Sequence, residues 1–319
     1  MAVTNFLVSS LPAYVKTNED ILVKSFALAG PGTRARIGLQ TGIKNKGYLN
    51  YLDLEASFQD GSGCGFNPLD SITLSQRTIE TAIIKVDGQI CPETLIGKYA
   101  EYLVRVSATE NSLPFEETIL NTLVEQINKG IENLIWLGDT SNSDPIVGFI
   151  AQMSADSDVI PVAISGASAY EGIKEVYLAI PEEALERGAE IYVSPAIFRA
   201  FVSDLVSLNY YHYAGPAAEA PNEFVFPGSD VRVVKTAGLA GDLNIVATFP
   251  SNLVYGCDGE NDNESIDLWW SNDDRVFKYQ VKWNSGVAYH FPDQIVLGTF
   301  AAAPTPLGIC PCTPASEGE

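Results

Sequence analysis

Residues 113–137 constrain the fold more than any other segment. Phe115, Ile119, Leu123, Ile127, Ile131 and Leu134 recur on one helical stripe, and Leu120, Val124 and Ile135 widen it. Ser112 stands at the N-cap position, Glu116 and Glu117 occupy the electropositive first turn, Lys129 lies nearer the other end, and Gly138-Asp139 stops the run. At about 1.5 Å per residue such a helix is on the order of 37 Å long. A single helix of that length with a continuous apolar face needs an extended surface to lie on, so it acts as a spine.

The segments around it read differently. Residues 10–29 read as a helix with Ser9 or Ser10 as cap and Pro12 in the first turn, ended by Gly30-Pro31-Gly32. Residues 41–95 are strand-rich, and the alternation at Ile79, Thr81 and Ile83 suits an exposed two-stranded ribbon with the Gly/Asp-rich stretch 60–70 at its tip. A ribbon with so little core of its own needs a partner surface. From 150 to 250 the pattern alternates: strands at 176–180, 190–194, 231–236 and 243–249, helices at 181–188 and 195–206, together a compact α+β unit. After it come a strand at 253–258, an acidic loop at 259–274, a strand at 276–283, a turn at Asn284-Ser285-Gly286 and a return strand within 287–298. The Pro-rich tail 301–319 reads as flexible.

Composition removes several function classes. The 319 residues, about two domains' worth, are 46 % hydrophobic and 18 % charged, which supports a sizeable core. Lys plus Arg number 19 against 40 Asp plus Glu, a net charge of -21, which disfavours a protein that grips DNA or an anionic membrane. The imbalance is local: residues 1–50 carry six basic and two acidic residues, net +4, leaving -25 for the remainder. A basic arm on an acidic body can pair with the acidic surface of another copy, or lie solvated.

No apolar run of bilayer-spanning length occurs, and the segment MAVTNFLVSSLPAYVK, without a basic start or a long apolar block, does not read as a secretory leader. Five cysteines without a C-x-x-C pair read as isolated reduced thiols, and two histidines, His212 and His290, leave little for metal sites or Ser–His chemistry. No nucleophile elbow, Walker loop, H-E-x-x-H or dinucleotide fingerprint occurs. The four Trp (Trp136, Trp269, Trp270, Trp283) could line a sugar site, but aromatic residues more often fill cores and interfaces.

The segment 258–274 holds seven acids and no base. It fails the EF-hand template, because Asn263 stands where the turn glycine belongs and Trp269 where the bidentate Glu belongs. Asp258, Glu260, Asp262 and Glu264 alternate, so in an extended segment they would share one face and could offer oxygens to Ca²⁺ or Mg²⁺; the simpler expectation is a solvated acidic loop.

Basic arm, long hairpin, spine helix, α+β domain and return hairpin follow one another in that order. The segments that carry it are QRTIETAIIKVDGQICPETL (76–95), LPFEETILNTLVEQINKGIENLIWLGDT (113–140), EIYVSPAIFRAFVSDL (190–205), FVFPGSDVRVVKTAGL (224–239) and VFKYQVKWNSGVAYHFPDQIV (276–296). The order resembles the major capsid proteins of tailed phages, with the α+β Hong Kong 97-like fold, and the local sequence resembles capsid proteins of phages of gut Bacteroidetes.

The resemblance implies an N-terminal arm at 1–40, an extended loop at 41–95, a peripheral domain from 96–149 with 250–300 around the spine helix, and an axial domain at 150–249. It implies a structural, non-enzymatic protein with no cofactor. Copies would assemble as pentamers and hexamers into an icosahedral virion shell around double-stranded DNA, without sequence-specific binding and without a membrane, in the host bacterial cytoplasm. Family members that carry their own scaffold begin with a segment not seen before Met1, so a separate scaffolding protein is expected, with portal and head-decoration proteins. Lys16, Lys24, Arg34 and Arg36 are expected to dock on the acidic body of adjacent copies. The tip of the 258–274 hairpin is expected at three-fold junctions, where Arg275 and Lys278 of neighbours would relieve its charge. Contacts are expected to be non-covalent. Two other classes fit the same residues: an encapsulin-like nanocompartment shell, and a carbohydrate-binding or enzymatic host protein using the Trp and the acidic loop.

Overall fold

The computed structural model describes residues 32–55, 58, 71–91, 115–142, 144–210, 222–258 and 265–304. The expected helix at 10–29, the ribbon tip at 60–70 and the tail beyond 304 lie outside them. The described chain forms two compact units. One draws on Leu39–Ser112 and Leu253–His290, the other on Ala29–Gly38, Leu113–Asn252 and Phe291–Glu319.

The first unit is made of strands. β1 (Gly38–Gln40) flanks a sheet organised on one long strand. β2 (Lys46–Glu55) and β3 (Ser71–Glu80) pair antiparallel from Lys46↔Glu80 to Glu55↔Ser71, which is the expected two-stranded ribbon. Thr81 alone separates β3 from β4 (Ala82–Ile90), which leaves the ribbon and joins the five-stranded sheet. The side-chain alternation breaks there: Ile79 is fully buried and Thr81 nearly so, whereas Ile83 is 60 % exposed. Ile79 packs with Ile43, Leu49, Val254 and Ala288, and the Thr81 amide donates to the Asn45 carbonyl at 2.8 Å.

The long strand follows β10 (Leu253–Cys257) and β11 (Ser265–Ser271). It is β12 (Val276–Tyr289), 14 residues long. β10 pairs with its last part, Leu253↔Tyr289 to Cys257↔Ser285, and β11 with its first, Ser265↔Lys282 to Ser271↔Val276. β4 runs along the other edge, from Ala82↔Ser285 to Ile90↔Phe277. Two expectations are corrected here. Residues 265–271 of the expected acidic loop 259–274 are strand β11, in which Ile266, Leu268 and Trp270 alternate with Ser265, Asp267, Trp269 and Ser271. Asn284-Ser285-Gly286 is not a turn but the buried middle of β12. Gly286 serves close approach instead: a Cβ there would lie 2.1 Å from the Glu80 carbonyl oxygen.

The second unit contains the helices. α1 (Phe115–Leu137) is the expected long helix, ending before Gly138, and α2 (Phe149–Ala155) follows. β5 (Ile160–Ile164), α3 (Ala169–Ala179), α4 (Glu182–Glu186), β6 (Glu190–Val193) and α5 (Pro195–Ser207) come next. Then follow β7 (Glu223–Val225), β8 (Arg232–Lys235), β9 (Asn244–Thr248) and, after β12, β13 (Val296–Phe300). Six strands order as β5-β13-β9-β6-β8-β7, with β5–β13 and β6–β8 parallel and the other pairs antiparallel.

The expected strand at 176–180 is the C-terminal half of α3. Ser168 caps that helix, its hydroxyl accepting from the Glu171 amide at 3.2 Å, and Ala169, Ile173, Val176 and Ile180 follow at helical spacing into the core. Asp204 of α5, fully buried, accepts from the Tyr170 amide at 3.0 Å and so satisfies a second orphan donor of α3. α5 covers the expected helix at 195–206, and the structure makes Ser194 its cap, with Pro195 in the first turn.

Candidate functional site

The apolar face of α1 is interrupted. Val124, Ile127, Ile131, Ile135 and Trp136 are buried on it, and so are Asn128 and Glu132, one turn apart. Buried polar groups at a helical spacing need partners, and the partners come from the short helical turn Gly32–Ala35. The Thr33 amide donates to Glu132 Oε2 at 3.2 Å, the Trp136 indole donates to Thr33 Oγ1 at 2.8 Å, and Arg34 Nη2 donates to Asn128 Oδ1 at 2.7 Å. Arg34 Nε lies 3.6 Å from Glu132 Oε1, with the two side chains 1 % and 6 % exposed. Trp136 packs at a tilt between Phe149 and Tyr192, each ring centroid 5.4 Å away. Gly238 crosses the helix where a Cβ would meet the Glu132 carbonyl at 2.2 Å.

Two residues on, Arg36 Nη1 donates to both oxygens of Glu190, at 3.1 and 3.2 Å, and Nη2 donates to Glu223. The Tyr192 hydroxyl donates to Glu190 Oε2 at 3.2 Å, and burial pushes that phenol well up, which keeps it a donor. Arg232 stands 3.7 Å from the second oxygen of Glu223. A cavity of about 430 Å³ opens beside this cluster, lined by Arg36, Tyr192, Glu223 and Lys235 among others. The root of the N-terminal segment is thereby fixed to α1, β6 and β7 of its own chain.

The candidate interface residues therefore separate. Lys16 and Lys24 lie outside the described residues. Arg34 and Arg36, expected on the acidic surface of an adjacent copy, find their carboxylates at Glu132, Glu190 and Glu223 of the same chain. Lys278, expected to relieve a neighbour's charge, bonds Asp274 within its own hairpin and holds that carboxyl below the usual carboxylate range. Arg275 is exposed in the turn between β11 and β12, in the left-handed region at φ 55°.

Of the candidate cation ligands, Glu260, Asp262 and Glu264 lie outside the described residues. Asp258 is 1 % exposed rather than splayed into water. Asp258 directly follows β10, whereas the turn that joins β11 to β12 is 272–275. Among the described residues no group of three His, Cys, Asp or Glu is placed to hold a metal ion, and no helix is long and apolar enough to cross a membrane.

By sequence, no protein-family model and no curated protein matches the chain. By structure it is similar to the capsid of an empty GTA particle, with TM-score 0.57 and 12 % identity over 87 % of this chain and 91 % of that one. It is also similar to a chain of the satellite phage P4 procapsid that includes the size determination protein, with TM-score 0.55 and 13 % identity over 85 % and 95 %. A third similar structure is from Microbacterium phage Oxtober96, with TM-score 0.54 and 12 % identity over 86 % and 92 %. The chain has the Hong Kong 97-like fold.

Within the Hong Kong 97-like fold, the α+β class and the order of ribbon, long helix, mixed domain and return strands are as the sequence implied. What sequence reasoning missed is the anchoring of residues 33–36. Asn128 and Glu132 were its signal, being polar residues set i, i+4 inside an apolar stripe, but Thr33 and Arg34 lie 99 and 94 residues from their partners.

Proposed function

We propose that this chain is the major capsid protein of a tailed phage, a structural protein whose copies form pentamers and hexamers and close an icosahedral head around double-stranded DNA. The observation that carries this reading is the likeness to capsid structures over nearly the full length of both chains. The charge of -21 supports it, since the wall of a DNA container must release the genome it holds. So does the ribbon β2–β3, ten residues per strand, a form that is marginal by itself in water.

In this reading residues 1–40 are the arm, 41–95 the extended loop, 96–149 with 250–300 the peripheral domain, and 150–249 the axial domain. Lys16 and Lys24 contact acidic surface of adjacent copies, and Arg275 does so from the hairpin turn. Arg34 and Arg36 anchor the arm instead of docking it. Scaffolding, portal and decoration proteins are separate chains, and assembly takes place in the host bacterial cytoplasm before the shell becomes part of the virion. We take the phage to be one of those of gut Bacteroidetes, on the resemblance of the local sequence.

The test is expression with the scaffolding factor of the same phage, followed by size-exclusion chromatography with light scattering and negative-stain imaging. Megadalton shells are expected. Removing residues 1–31, which spares the anchored root, leaves a folded subunit that assembles poorly. A product that stays monomeric across salt and pH overturns the reading.

A further inference from the structure

The five-stranded sheet has one apolar and one polar face. Phe277, Val281 and Trp283 of β12 are at most 1 % exposed, while Lys278, Gln280 and Lys282 between them point the other way. On the polar face, register places Trp269 of β11 beside Lys278 and Lys278 beside Gln89 of β4. The next row runs Asp267, Gln280, Asp87. A cavity of about 430 Å³ lies over these two rows, lined by Asp87, Gln89, Trp269, Lys278 and Gln280 among others. Its volume falls in the range of small-molecule sites, roughly 300–1,000 Å³, and it combines one aromatic wall with a few convergent polar groups, as such sites do.

The charges of the cavity are already engaged. Gln280 Nε2 donates to Asp87 Oδ1 at 2.9 Å, and Lys85 bonds the same carboxylate. Together they hold the Asp87 carboxyl below its ordinary range, so it is an acceptor at neutral pH. Lys278, the cation in the lining, is bonded to Asp274. Among the lining residues a phosphate or carboxylate would find no uncommitted cation, and it would face Asp87 and the adjacent Asp267. An apolar ligand would strip water from two amides and a carboxylate without replacing it. The indole of Trp269, 44 % exposed, offers a flat apolar surface, and the amides of Gln89 and Gln280 both donate and accept.

We infer that this face binds a neutral saccharide, one ring stacked on Trp269 and its hydroxyls bonded to Gln89, Gln280 and Asp87. The inference does not depend on the shell reading, and its failure leaves that reading intact. The test titrates the full-length protein with soluble gluco-, manno-, galacto- and N-acetylglucosamine oligosaccharides, read by tryptophan emission and by calorimetry. At least one of these is expected to bind saturably. Trp269→Ala should abolish binding, and Gln280→Ala should weaken it roughly tenfold, with the melting temperature of both variants unchanged because these side chains stand outside the core. Two results overturn the inference: no oligosaccharide of the set binds saturably, or Trp269→Ala binds as the wild type does. If Trp269→Ala instead abolishes shell assembly and the wild type binds no sugar, the face is a contact between copies, which also overturns it.

Discussion

The strands of the two units are buried in different ways. In the six-stranded sheet they are short, and β6 is buried at every position and β9 at all but one, because helices and loops of the same unit cover them. Around them Phe201, Phe224, Phe226, Ile191, Ile245 and their neighbours form one cluster, with Tyr170 stacked nearly parallel on Phe226 at 5.8 Å. In the strand unit, β4 and the first part of β12 alternate, one side chain inward and the next outward. A strand buried on both faces has completed its contacts within its own unit, whereas one that alternates keeps a whole face for water, ligand or another chain. The helix-containing unit supplies stability, and the strand unit presents surface.

That contrast breaks most visibly if large side chains are removed from each unit. Trp136→Ala deletes a fully buried indole, its two ring contacts and its bond to Thr33. The expected cost is about 3–5 kcal/mol, read as a shift of the urea midpoint. Trp269→Ala, in the strand unit, should leave that midpoint unchanged. An equal response to both substitutions would remove the distinction between the units.

The buried ion pair tests how the turn Gly32–Ala35 contributes. Arg34→Met leaves Glu132 charged and buried, at an expected cost of about 3–5 kcal/mol. Adding Glu132→Leu should restore most of it, because the penalty comes from the uncompensated charge and not from a missing attraction. A double variant as unstable as the single one would mean that the pair itself stabilises the root.

How far the sequence discloses all this depends on the range of the contacts. The stripe of α1 is legible because period 3.6 persists over six turns of chain. Residues 176–180 are not, because VYLAI alone reads as strand and only the window from Ser168 onward, cap included, shows a helix. Asn284-Ser285-Gly286 carries turn residues for a reason no local window contains, the passage of Glu80 across the strand. The cavity over Trp269 joins residues more than 180 positions apart through the β4–β12 register, so sequence alone offered four Trp and no way to choose among them.

Gly286→Ala sharpens the comparison at smaller scale. The added methyl meets backbone 2.1 Å away, which no side-chain rotation relieves. A cost of about 1–3 kcal/mol is expected, seen in hydrogen exchange as lost protection along β10, β12 and β3. Protection in β6 and β9 should persist. Uniform loss across both sheets would mean that the units unfold as one.

The smallest effect is a slope with pH. His290 follows the last residue of β12, and burial pushes its imidazole below the ordinary value of about 6.5. The unfolded chain then binds more protons than the folded one between the ordinary and the lowered pKa, so stability rises with pH through that window. The contribution is complete above about pH 6.5 and is lost as pH falls toward the folded value. Asp87, Asp139, Glu175 and Asp274 also lose stabilising interactions in acid, but hydrogen bonds from Lys85, Ser141, Ser165 and Lys278 hold all four below the usual carboxylate range. Their losses therefore begin at more acidic pH and leave the histidine window readable. His290→Gln removes the titration without removing a polar side chain, and should flatten the dependence of the urea midpoint between about pH 7 and 5 while leaving the acid limb below it unchanged. His212→Gln is the control, as the only other histidine. If His290→Gln keeps the wild-type slope and His212→Gln flattens it, the proton is taken up at residue 212 and not at the end of β12.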